Sequence, residues 1–173
     1  MAELLKATGI YYRNELRSIH KNGVKLQPVY EAFTNSWESI LEKYTAEHLN
    51  LGSIVIEFHY NAGMFEEDNE NNLKNLQKII ITDNGIGLNE KSFTRLLNLR
   101  DNSKSKNNKG TGRIQYLHYF DDTIFESVYK VGDNNYRKIC LTLSKKESFL
   151  QANAILRKDF DEKTNIEGVE NYL

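Results

Sequence analysis

Three short stretches of this chain hold residues whose types and spacing could do chemistry. In the first, Glu31 and Asn35 stand four residues apart within a run of helical periodicity. A carboxylate and an amide oxygen therefore share one helix face. Such a pair could hold Mg2+ through the amide and orient a water through the acid. In the second, the apolar run Ile79, Ile80, Ile81 reads as a buried strand that breaks at Asp83, with Gly85 and Gly87 just behind it. A carboxylate at a strand mouth, beside bare backbone, suits a flat polar ligand such as a nucleotide base. In the third, Gly110-Thr111-Gly112 opens a helix-like segment and is preceded by Ser103, Lys104, Lys106 and Lys109. Glycines at a helix start leave N–H groups unpaired at the positive end of the dipole, a seat for phosphate.

Each stretch also has a plainer reading. Asn84-Gly85 between apolar segments is a hairpin signal. Glu31, Asn35, Glu38 and Glu42 fall nearly opposite an apolar stripe, as a solvated helix face would. Asn35 fits that explanation least, because asparagine is a mediocre helix former with nothing obvious to gain mid-helix. A lone Gly-x-Gly is weak by itself, and the lysines before it add the case for polyphosphate.

The elements that must position these residues follow from pattern and punctuation. Residues 8–21 read as a helix with Ile10, Tyr11, Leu16 and Ile19 as apolar contacts, closed by Asn22-Gly23. Leu26 to His48 reads as the longest helix, with Pro28 in its first turn and Val29, Phe33, Trp37, Ile40 and Tyr44 on one stripe. Gly52–Tyr60 alternates as a half-buried strand, and residues 61–77 read as a polar insertion. Asn89 is placed to cap a helix running to about Leu99. Residues 100–109 hold no apolar side chain, so they are expected to be mobile or ordered by a ligand. Thr123–Lys130 and Asn135–Leu143 predict a hairpin, residues 147–160 a helix, and the polar tail from Asp161 a frayed end.

Composition bounds the rest. The chain has 173 residues, 39% hydrophobic and 27% charged, which fits one domain with a real core rather than a disordered chain. A net charge of −1 argues against a global pull toward nucleic acid or anionic membrane. The single Cys140 rules out an internal disulfide and a cysteine-cluster zinc site, in keeping with a cytoplasmic location. No apolar run approaches the length of a membrane span. The chain ends on Glu-Asn-Tyr-Leu without an evident closing strand, so residues 1–173 are expected to be one domain at the N-terminus of a longer protein.

Taken in order, Glu31-Ala-Phe-Thr-Asn35-Ser-Trp-Glu38, Asp83-Asn-Gly85-Ile-Gly87 and Lys109-Gly110-Thr111-Gly112 resemble the three boxes of the GHKL ATPase superfamily. That superfamily unites gyrase, the ninety-kilodalton heat-shock chaperones, histidine kinases and mismatch-repair ATPases. The likeness covers roughly residues 26–145, and the order and spacing of three boxes make it far more specific than any one. It implies the Bergerat ATP-binding fold, an α/β two-layer sandwich in which a mixed sheet carries helices on one face and holds ATP and Mg2+ under a mobile lid. By position, Asn35 matches the magnesium-binding asparagine and Glu31 the acid that activates water in hydrolytic members. Asp83 matches the acceptor of the adenine amino group, with Gly85 and Gly87 giving the base room. Glu38 matches an acidic pocket position. Residues 100–112 match the lid, whose Ser103, Lys104, Lys109 and Gly110–Thr111–Gly112 would meet the phosphates. Two departures stand out: Asn107 occupies the first glycine position of the lid pattern, and the late strand that usually supplies a threonine near adenine is not evident.

A kinase of this superfamily would carry Asn or His at position 31 and a phosphoacceptor helix, so Glu31 favours an ATPase that uses lid closure as a conformational switch. The competing class is a nucleotide-gated binding or dimerisation module, with an ATP-dependent homodimer formed through the full-length protein and little hydrolysis. A nucleic-acid binder working through the lysines of the lid ranks last, for want of a broad basic face or interleaved aromatics.

Overall fold

The computed structural model describes residues 2–6, 9–21, 23–61, 76–98 and 112–172. In chain order the elements are β1 (Glu3–Lys6), α1 (Tyr12–Ser18), α2 (Gln27–Lys43), a 3-10 segment (Ala46–Leu51), β2 (Ile54–Tyr60) and β3 (Leu76–Asp83). Then come α3 (Glu90–Leu97), α4 (Gly112–Tyr119), β4 (Asp122–Gly132), β5 (Asn135–Ser144), α5 (Glu147–Gln151), β6 (Ala154–Asn165) and a second 3-10 segment (Glu167–Tyr172). The class is α/β, as the sequence leads one to expect. The chain forms two compact units, Met1–Glu31 with Ile86–Leu173, and Ala32–Gly85. No helix among the described residues is long and apolar enough to cross a membrane.

The larger unit is built on a four-stranded sheet in the order β1-β6-β5-β4, antiparallel at every pairing. Its two inner strands explain their own sequence. Ile139 to Ser144 is buried without a break, as is Ala154-Ile155-Leu156, because both faces of the sheet are covered there. Ile114 and Leu117 of α4, Phe149 of α5 and Tyr12 of α1 complete this core. Tyr12 also ties distant chain segments together. Its hydroxyl donates to the Ser144 carbonyl at 3.1 Å, and its backbone N–H donates to Asn153 Oδ1 at 2.8 Å. Burial pushes its phenol pKa well above the ordinary value.

The smaller unit pairs β2 with β3 antiparallel, Ile54 opposite Asp83. Asn84, the residue after β3, fastens that end shut. Its side chain accepts from Ser53 N–H and donates to the Leu51 carbonyl, both at 2.8 Å, while Lys43 Nζ donates to its own carbonyl at 2.8 Å. The Asn-Gly pair therefore terminates a strand and does not turn a hairpin, since α3 and not a strand comes next.

Several elements differ from expectation. The first helix is shorter than 8–21, with Tyr12 rather than Tyr11 facing the core; Tyr11 is the extended residue before it and is 75% exposed. In α2 the buried residues are Pro28, Val29, Ser36 and Ile40, while Phe33 and Trp37 are exposed, so the buried stripe is rotated toward the polar residues. Residues 147–160 do not make one helix: α5 stops at Gln151, Asn153 takes a positive φ of 50°, and the chain becomes β6. The tail from Asp161 is not frayed at first, because Asp161–Asn165 is paired with β5, and Asp161 is held by Arg137. A closing strand thus exists. It escapes the sequence reading because its charged half, RKDFDEKTN, owes its order to cross-strand partners. The short strand β1 is also absent from that reading. As expected, Asn89 caps α3 by accepting from Ser92 N–H at 3.0 Å, and β4 and β5 form the hairpin, turning at Asn134 with φ 54°.

Candidate functional site

Asp83 closes β3 with an exposed carboxylate. Ser36 Oγ donates to its Oδ2 at 2.8 Å, and the Gly85 N–H donates to its Oδ1 at 2.9 Å. The first of these bonds comes from α2, at the residue directly after Asn35. It exists because Ser36 lies on the buried stripe of that helix, 7% exposed, where a small hydroxyl can reach a strand end. Ser36 does not stand out in the sequence. Its signal was slight, a small polar residue exactly in phase with Val29 and Ile40.

Gly85 sits tightly against the same helix. A methyl there would overlap Ser39 Oγ and come within 2.7 Å of the Ser39 backbone carbon. Serine at 36 and 39 and glycine at 85 together let β3 end against α2 with its aspartate pinned. Asn35 is exposed on α2, and Glu38, half-buried, lies one turn further along. A carboxylate has about four lone-pair directions, so Asp83, with two protein donors, can still accept from an outside amine.

In the larger unit, Glu31 reaches the first residue of α4. A side chain at Gly112 would overlap the Glu31 carboxylate, so glycine is what admits it. A carboxylate is also favoured beside a helix N-terminus, where peptide dipoles present their positive ends. One residue on, Arg113 donates to the carbonyls of Leu96, Arg95 at 2.7 Å and Asn98 at 3.4 Å. It gathers the last carbonyls of α3, which a helix end leaves without partners. The end of α3 and the start of α4 are thus fastened together, and residues 99–111 connect them.

Gly87 has a different setting. With φ at 79° it adopts a backbone that side chains resist, and a methyl there would overlap the Val128 carbonyl and lie 3.0 Å from Ser127 Oγ. Ser127 Oγ in turn accepts from Leu88 N–H at 2.7 Å. The packing of this loop onto β4 is reason enough for glycine at 87. Ser103, Lys104, Lys109, Gly110 and Thr111 lie outside the described residues, as does nearly all of the polar insertion 61–77. Among the described residues no three His, Cys, Asp or Glu side chains cluster to make a metal cage. No protein-family model matches this chain, and no curated protein or solved structure gives a significant match.

Proposed function

We propose that this chain is an ATP-binding domain of the GHKL type that hydrolyses ATP with Mg2+. One observation supports the reading above the others: Ser36 holds the Asp83 carboxylate against α2 at the residue next to Asn35. A carboxylate held by two donors is oriented before a ligand arrives, which lowers the ordering cost of binding. In this reading Asp83 accepts the exocyclic amine of adenine, and Gly85 leaves the backbone beside it bare. The Asn35 amide oxygen would hold Mg2+, which when bound neutralises charge on the terminal phosphates. Glu31 orients a water for in-line attack and takes its proton. Its position beside Gly112 supports that role, since the carboxylate meets the end of the segment expected to close over the phosphates.

Calorimetry with ATP and Mg2+, paired with a phosphate-release assay, tests this. Asp83→Ala abolishes nucleotide binding, and unchanged affinity would refute the adenine role. Glu31→Ala retains binding and loses turnover; equal turnover in that variant would rule out Glu31 as the activating acid. If the parent chain binds ATP without turning it over, the nucleotide-gated module takes the place of the ATPase.

A further inference from the structure

The larger unit carries a concave feature that shares no residue with the candidate nucleotide site. A groove of about 720 Å3 lies where the start of α3 meets the hairpin end of β4 and β5. It is an open surface depression and not an enclosed cavity, so a ligand there keeps one side in water. Four basic residues line it: Lys91, Lys130, Arg137 and Lys163. Against them the lining holds one acid, Glu90.

The four cations are not equivalent. Arg137 is already engaged, with its guanidinium donating to Asp161 at 2.5 and 2.7 Å and to Glu90. Tyr129 OH also donates to Glu90, at 3.2 Å. This network leaves Arg137 cationic, with its pKa pushed up mainly by the Asp161 hydrogen bond. Lys91, Lys130 and Lys163 are exposed and form no ion pair among the described residues. Three elements, α3, β4 and β6, thus each contribute a lysine to the lining, and Arg137 stands directly opposite both Tyr129 and Lys163 in the strand registers. Like charges gathered in a cleft repel one another and raise the local anion concentration.

We propose that this groove binds a compact polyanion carrying two or more phosphate groups. A nucleic-acid strand fits it less well, because both tyrosines of the lining are buried, at 5% and 9% exposure, and offer no open ring face on which bases could stack. The proposal stands independently of the ATP reading, because its residues and its probe can be tested apart from Asp83.

The test is a titration of the full chain with pyrophosphate, followed by backbone amide NMR at constant ionic strength. Saturable shifts are expected at Asn89–Lys91, Lys130 and Asn135–Arg137, and they persist in Asp83→Ala. The triple variant Lys91→Ala, Lys130→Ala, Lys163→Ala should fold as the parent does, because all three side chains are exposed, and should lose at least tenfold in affinity. Glu90→Gln removes the only acid of the lining and should tighten binding several-fold. The proposal is overturned by equal affinity in the triple variant, by failure of Glu90→Gln to tighten binding, or by shifts that chloride reproduces at matched ionic strength. Tighter binding of a DNA duplex than of pyrophosphate at these same residues would also overturn it, in favour of a nucleic-acid surface.

Discussion

Glycines at 85 and 112 both stand where a methyl would overlap a neighbour, yet the neighbours differ in kind. At Gly112 the obstacle is the Glu31 carboxylate, the far end of a flexible side chain; at Gly85 it includes the Ser39 backbone. A flexible acid can swing aside at little cost, whereas a helix backbone cannot. Gly112→Ala should therefore shift stability by less than about 1 kcal/mol in urea denaturation while moving Glu31 and lowering ATP turnover. Gly85→Ala should cost about 1–3 kcal/mol, and Ser39→Ala should not rescue it, since the obstructing backbone remains. If Gly112→Ala left turnover intact, Glu31 would not be acting from the place it occupies beside α4. The same residue scale shows what the sequence displays and what it hides. Glu31 and Asp83 are conspicuous in the sequence, as acids at those spacings are. Ser36, Ser39 and Asn84 are not, because their value lies in what they reach across space.

Elements were legible wherever one periodicity dominated locally. The hairpin of β4 and β5 and the cap of α3 follow from alternation, turn residues and a single asparagine. β6 is not legible in the sequence because its inner end is a short apolar run that fits a helix or a strand, and its outer end is charged. What orders that outer end is chiefly the bidentate grip of Arg137 on Asp161, at 2.5 and 2.7 Å across the β5–β6 pair. The Arg137 hydrogen bonds hold the Asp161 carboxyl below the usual carboxylate range. A carboxyl whose pKa is lower folded than unfolded adds stability that is complete above its unfolded value, near pH 3.9. That stability is lost as pH falls through the folded value. Asp161→Asn should accordingly destabilise the chain by about 1–2 kcal/mol at neutral pH. The gap in Tm between parent and variant should hold from pH 7 to 5 and shrink below pH 4. A gap that stayed constant to pH 3 would show that the pair adds shape and not charge to β6.

At the scale of the whole molecule, the proposed activity makes a thermodynamic demand that can be checked without any enzymology. A ligand that binds only the folded chain stabilises it by RT ln(1 + [L]/Kd), about 2.7 kcal/mol at a hundredfold excess over Kd. For a chain of this length, each kcal/mol moves Tm by roughly 2–4 °C, so ATP with Mg2+ at that excess should raise Tm by roughly 5–10 °C. In Asp83→Ala, where the amine acceptor is gone, the shift should fall to no more than pyrophosphate gives through the groove, and in Glu31→Ala, where only the water is affected, it should survive. It should also survive in the triple lysine variant of the α3 groove, whose residues take no part in the nucleotide reading. This pattern separates the two proposed anion-binding surfaces from one another, because pyrophosphate acting through the groove would lose its own stabilisation in the lysine variant and keep it in Asp83→Ala. A shift by ATP that tracked the lysines instead would mean that the triphosphate is held at the groove and that Asp83 serves only to end β3 against Ser36.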